Sequence, residues 1–240
     1  YINRLIDIIQ HCGMKKIPEK TPFDYGDLDL SIGDLEQILS SGKEIEKIHS
    51  LTPMQSGMLY HALLDPFSQA YFEQLTFSLS GQLDIGRLNT AFNMLIEKYE
   101  ILRTCFFHEG LSKFKQAVLR ERKVKIEFED ISTFSEYQKK VRLKNVQFKD
   151  RGTRFDLTND CLIRVTVLKT DEKEYKLLFS FHHIIMDGWC MSLIMNDIKT
   201  IYTSLKEGRE TVLQHTEPYS TYLEWLDNQD KSAALEYWGD

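Results

Sequence analysis

His182-His183-Ile184-Ile185-Met186-Asp187-Gly188 decides how this chain is read, because it sets two imidazoles, a carboxylate and a glycine where one periodicity gives way to another. Upstream, Glu174-Tyr175-Lys176-Leu177-Leu178-Phe179-Ser180-Phe181 is short, apolar and aromatic, as a buried strand is. Downstream, Met191-Ser192-Leu193-Ile194-Met195-Asn196-Asp197-Ile198 repeats its apolar positions at helical spacing. The histidines are therefore expected at a strand's end. Successive strand side chains point to opposite faces, so one histidine goes with Phe179 and Phe181 and the other with Leu178 and Ser180. That division leaves one imidazole for a substrate and one for structure. Asp187 then orients a ring or holds the turn, and Gly188 permits a backbone angle that other residues avoid.

From the residues alone, catalysis and a hydrogen-bonded core role both stay open for this pair. Metal ligation reads less well, since adjacent strand side chains diverge and Cys12, Cys105, Cys161 and Cys190 form no Cys-x-x-Cys pair. No metal site is expected.

With 240 residues, 42% hydrophobic and 12% aromatic, the chain can bury one large core or one domain plus fragments. A formal charge of -6 and scattered Lys and Arg argue against a nucleic-acid groove. No apolar run approaches the ~18 residues that span a bilayer. Tyr1-Ile2-Asn3-Arg4 leads into an amphipathic helix rather than the apolar core of a signal peptide. The unpatterned cysteines fit a reducing compartment, so a cytoplasmic location is expected.

Along the chain, Ile2, Leu5, Ile6, Ile8 and Ile9 predict a helix over 2–12, and Ser31 to Leu39 a short capped one. Between them, Lys15 to Lys20 and Thr21-Pro22-Phe23-Asp24-Tyr25-Gly26 read as an extended connector. Ser40 to Lys47, polar and charged, reads as a linker with a boundary near residue 46. Thr52 and Pro53 are placed to cap and start a helix through His61. Tyr71 to Ser80 predicts a strand, and Ile85 to Tyr99, capped by Asp84, a helix. Strands are expected at 102–108, 114–119, 124–129, 161–169 and 175–183, and a helix at 132–145. Two or three helices close the chain, through Leu205, Trp225 and Trp238. The class is α/β, with a mixed, mostly antiparallel sheet flanked by helices.

His182 to Gly188 resembles the HHxxxDG signature of the condensation domains of nonribosomal peptide synthetases, whose lobes resemble chloramphenicol acetyltransferase. Further segments fit in the family's order. Leu51 to His61 resembles the first core motif, Glu100-Ile101-Leu102-Arg103-Thr104-Cys105-Phe106 the second, and Tyr219-Ser220-Thr221-Tyr222-Leu223-Glu224-Trp225 the fourth. Phe155-Asp156-Leu157, Leu162-Ile163-Arg164 and Tyr237-Trp238 fit as well. Lys98-Tyr99 departs from the Arg-His of many members, and Thr221 from their Asp. Residues 47–240 thus resemble the N-terminal lobe of such a domain, and the second lobe that completes its channel is expected to be missing. Residues 1–46 resemble the tail of an epimerization domain plus a linker, with Thr21-Pro22-Phe23-Asp24 departing from the usual Thr-Pro-Ser-Asp at Phe23.

The resemblance implies peptide-bond formation between a donor aminoacyl or peptidyl thioester and an acceptor aminoacyl thioester. Both would ride on the phosphopantetheine arms of upstream and downstream peptidyl carrier proteins, with no cofactor bound to the domain itself. His183 is the expected catalytic imidazole, and Gly188 offers its N-H to a developing oxyanion. Asp187 is expected to pair with an arginine, for which Arg103 is one candidate, and His182 fills space beside the strand. His61, His108 and His215 carry no comparable context. The tail and the Thr52-Pro53-Met54-Gln55 form of the first motif resemble members that take a D-configured donor. Two other readings stay open: an epimerization lobe, which shares HHxxxDG, or a non-catalytic docking and folding unit, the isolated chain being inactive.

Overall fold

The computed structural model describes residues 2–14, 20–27, 29–65, 68–230, 232 and 236–237, so Trp238 and the connector at 15–19 lie outside the described residues. In chain order the elements are α1 (Ile2–Met14), a 3-10 turn (Pro22–Tyr25), α2 (Ile32–Leu39), β1 (Ile45–Ser50), α3 (Pro53–Leu64), β2 (Phe72–Ser80) and α4 (Ile85–Lys98). A second 3-10 turn (Glu100–Arg103), β3 (Thr104–Phe107), β4 (Lys115–Leu119), β5 (Glu127–Asp130) and α5 (Glu136–Gly152) follow. Then come β6 (Ile163–Asp171), β7 (Glu174–His182), α6 (Cys190–Glu207) and α7 (Tyr219–Asp227). This is the α/β class the sequence predicts, built on two sheets.

The larger sheet has the order β2-β7-β6-β5, antiparallel except for the parallel β5-β6 pair. Its core comes from α4 and α6, which lie side by side. Leu88, Ala91, Phe92, Leu95 and Ile96 make one buried stripe along α4. Phe92 meets Phe179 of β7 with ring centroids 5.9 Å apart. The two helices are also tied by polar bonds, because Asp197 on α6 accepts from Lys98 Nζ (2.6 Å) and from the Tyr99 hydroxyl (2.8 Å). Those two residues are the pair in which the chain departs from Arg-His. On the opposite face of the sheet, Asp150 on α5 accepts from Gln74 Nε2 (2.7 Å), Arg164 Nε (2.8 Å) and the Ser180 hydroxyl. These bonds join α5 to β2, β6 and β7.

Capping explains where the helices begin. Thr52 accepts from the Gln55 N-H (3.1 Å), the Gln55 side chain accepts from the Thr52 N-H (3.0 Å), and Pro53 occupies the first helical position of α3. Asp84 accepts from the Arg87 N-H at the start of α4 (2.9 Å). The helix expected at 132–145 is displaced: Ser132 is held by Asp130 in a turn, Ser135 caps instead, and α5 runs on to Gly152.

The smaller sheet, β1-β4-β3, is antiparallel and has its own core. Tyr25, Leu30, Leu35 and Ile38 pack there with Ile45, Ile48, Cys105, Phe107, Ala117 and Leu119. The stretch expected to be a linker is thus partly strand, and a cut at residue 46 would divide this core. Its half-charged sequence has a physical reason. Ile45 and Ile48 face the core, whereas Glu46 pairs with Arg103 (2.6 Å) and Lys47 with Glu100 (2.7 Å). Lys47 and Glu100 both reach Ser220, which attaches α7 to β1.

One ion pair fastens residues 20–27 to the small sheet. Lys115, only 2% exposed, donates to Asp27 at 2.5 Å and to Ser50 at 3.2 Å. Removing one partner of a buried pair strands the other charge, so Asp27→Ala is expected to cost about 3 kcal/mol in a urea melt. A loss under about 1 kcal/mol would show that water reaches Lys115.

Candidate active site

β7 ends at His182, paired with Phe72 of β2. The next residue, His183, gives its N-H to the Tyr71 carbonyl at 2.7 Å, just before β2 begins. Tyr71 has φ +65°, the left-handed region that costs a side-chain-bearing residue roughly 1 to 2 kcal/mol. The turn at Tyr71 thereby aims a carbonyl at the backbone of His183. Past the strand, Ile184, Ile185 and Met186 are buried in the main core, which pins the loop from inside. Hydrogen bonds fix the rest: Ile184 N-H donates to His182 Nδ1 (3.1 Å), Ile185 N-H to the His182 carbonyl (3.2 Å), and Gln55 Nε2 to the Ile184 carbonyl (3.3 Å).

The two histidines are treated differently. His182 is buried, on the face it shares with Ser180, with the rings of Tyr71 and Phe155 at 6.3 and 6.4 Å. Burial, with a smaller contribution from His183, pushes its pKa down to about 4. An Nδ1 that accepts from a backbone amide belongs to a neutral ring with its proton on Nε2. His183 is half-buried, and its Nδ1 is itself buried and has no hydrogen-bond partner among the described residues. Chemically, this sets a neutral structural imidazole beside one whose ring nitrogen is not committed to the protein.

The family called "Condensation domain" matches residues 45–240. The chain belongs to that family. Bacitracin synthase 3 of Bacillus licheniformis is 38% identical over 236 residues, covering 98% of this chain and 4% of that protein. Gramicidin S synthase 2 of Brevibacillus brevis is 41% identical over 196 residues, covering 82% and 4%. Tyrocidine synthase 2 of Brevibacillus parabrevis is 40% identical over 200 residues, covering 83% and 6%. Among solved structures, the starter condensation domain of rhizomide synthetase superposes with a TM-score of 0.69 at 19% identity, over 75% of this chain and 45% of that one. The first condensation domain of the CDA synthetase gives 0.70 at 19%, over 79% and 48%. This chain thus spans a small part of its curated relatives and under half of these solved domains, whose fold it shares.

Asp187 holds the turn, one of its expected roles, without the expected arginine, and Gly188 departs from expectation. Asp187 is exposed, and its Oδ1 accepts from the N-H groups of Trp189 (2.9 Å) and Cys190 (3.3 Å), closing the turn that starts α6. Arg103 is not its partner, because that guanidinium is bound to Glu46 and to the Leu119 carbonyl on the small sheet. A carboxylate next to unsatisfied helix-start amides has local partners that a distant arginine cannot displace. Gly188 does not adopt a positive φ, and a Cβ there would meet no atom within 4 Å, so neither backbone angle nor crowding within the lobe requires glycine.

Other histidines gain context. A cleft of about 220 Å³ on the His182 side is lined by His61, Tyr71, Phe72, His108, Phe155 and His182, among others. The His108 Nδ1 is buried without a partner among the described residues, whereas His215 is exposed. Sequence reading had no signal for this grouping, since His61 on α3 and His108 beyond β3 meet only through the fold. Among the described residues, no cluster of three or more His, Cys, Asp or Glu could hold a metal ion, and no helix is long and apolar enough to cross a membrane.

The depressed pKa of His182 links the loop to stability. Its folded value lies below the unfolded ~6.5, so between the two the unfolded chain binds the extra proton. Its contribution is complete above about pH 6.5 and is lost toward pH 4, amounting to about 3 kcal/mol. Denaturant melts of the wild type against His182→Asn should show this difference in slope between about pH 7 and pH 4. Parallel pH profiles would mean that His182 titrates normally.

Proposed function

We propose that this lobe forms part of an enzyme that joins a donor aminoacyl or peptidyl thioester to the amine of an acceptor aminoacyl thioester. The observation that carries the reading is the strand-end loop, fastened by the bonds of Ile184 to His182 and Gln55, that holds a half-buried His183 beside a neutral His182. The acceptor amine attacks the thioester carbonyl, the C-N bond forms, the C-S bond breaks, and the donor's thiol departs. His183 takes the proton from the attacking nitrogen or steadies the charged tetrahedral intermediate. Gly188 N-H faces the developing oxyanion, and Asp187 holds the turn that carries it. Much of the acceleration comes from holding two arms end to end, because aminolysis of a thioester is already downhill.

The substrates are phosphopantetheine-borne, on peptidyl carrier proteins upstream and downstream, and a second lobe completes the channel. A variant of the rhizomide starter domain was solved in complex with C8-CoA and Leu-SNAC, which supports a reading with two thioester substrates. Asp187, Gly188 and Trp189 are exposed, which leaves this end of the histidine loop open to such a second lobe. Thr21-Pro22-Phe23-Asp24 and Thr52-Pro53-Met54-Gln55 favour a D-configured donor.

In the intact synthetase, with both carriers loaded and the product quenched and counted, His183→Ala is expected to lower peptide formation by about 100-fold or more at unchanged melting temperature. An unchanged rate removes His183 from the chemistry. In the same assay the wild type should use a D-aminoacyl donor ~10-fold or more faster than its L form, and equal rates or an L preference would overturn the donor assignment alone.

A further inference from the structure

Gln55 lies 127 positions before His182 in a different motif, yet its amide ends inside the histidine loop. Gln55 is 4% exposed, both atoms of its amide are engaged, and Tyr219 of α7 also bonds to it and to Gln116. Its Nε2 donates to the Ile184 carbonyl (3.3 Å) and to Gln116 Oε1 (3.2 Å). Its Oε1 accepts from Gln116 Nε2 (2.9 Å) and from the Thr52 N-H (3.0 Å). Gln116 is in turn anchored to the Ser50 carbonyl (2.9 Å) at the end of β1. This set admits one orientation of the amide, because turning it over would press its oxygen against the Ile184 carbonyl and leave the Thr52 N-H facing an NH2 group.

The backbone on both sides of His183 is then held by three bonds from three places. The His183 N-H goes to the strained Tyr71 carbonyl, the Ile184 N-H to the ring of His182, and the Ile184 carbonyl to Gln55. Two of these come from residues inside or beside the loop. The third comes from α3, whose first turn is fixed by its capping box. We infer that Gln55 is a positioning residue for His183, locking the Ile184 carbonyl so that the imidazole keeps one direction. The inference rests on the condensation reading for its effect on turnover, though not for its effect on the loop.

Two readouts in the intact synthetase separate this from a purely structural role. Gln55→Met keeps the length and loses every bond of the amide, and Gln55→Glu keeps the acceptor for Thr52 and loses the donor to Ile184. Asp34→Ala serves as a control: it removes a buried carboxylate bonded to Ser112 beside the small sheet, away from the loop. Hydrogen-deuterium exchange of the peptide spanning residues 179–187 should rise by about 10-fold in both Gln55 variants and stay at the wild-type value in Asp34→Ala. Peptide formation should fall ~10-fold in kcat, with the KM for the loaded acceptor carrier unchanged, and Asp34→Ala should lower Tm without touching kcat. Unchanged exchange in a folded Gln55 variant overturns the inference. So does faster exchange with full turnover, or a loss of turnover that Asp34→Ala reproduces. Should the wild type make no peptide, the reaction assignment fails and the exchange data alone decide the role of Gln55.

Discussion

The hydrogen bond from the Ile184 N-H to His182 Nδ1 is the constraint on which the site depends. It requires a neutral ring, and burial beneath Tyr71 and Phe155 supplies the reason for neutrality, since an imidazolium there would lose its hydration and could no longer accept. The bond ends β7 with its own last side chain and bends the chain so that the half-buried His183 follows with its backbone fixed.

The two sheets serve this loop from opposite directions. The larger places β7 centrally between β2 and β6, with Phe179 and Phe181 sunk into the α4-α6 side and Ser180 and His182 on the face where Asp150 gathers its bonds. The smaller contributes Gln116 and Ser50, which brace Gln55 against Ile184. The cavity-side histidines, His61 and His108, belong to the same neighbourhood as His182, while Arg103 and Glu46 secure a distant edge.

Much of the fold was legible because it follows local rules. Thr52-Pro53 and Asp84 announce helix starts through caps that need only three or four consecutive residues, and the hairpin of β6 and β7 shows in its apolar runs and polar turn. The opposite faces of adjacent strand residues also follow from period-two geometry. What escaped is non-local. β1 was hidden because its charged residues answer partners at positions 100 and 103, which no short window contains. An arginine partner for Asp187 fails because its own next amides are nearer, although the turn-holding role is legible. The positive φ at Tyr71, and the reach of Gln55 into a loop more than a hundred residues on, leave no mark in spacing or composition.

The most direct test of a neutral, accepting His182 is an NMR titration of its ring in the folded protein. The structure predicts the neutral tautomer with the proton on Nε2 and a midpoint near about 4. A midpoint close to ~6.5, or a protonated ring in a lobe whose Ile184 amide remains protected, would contradict the account.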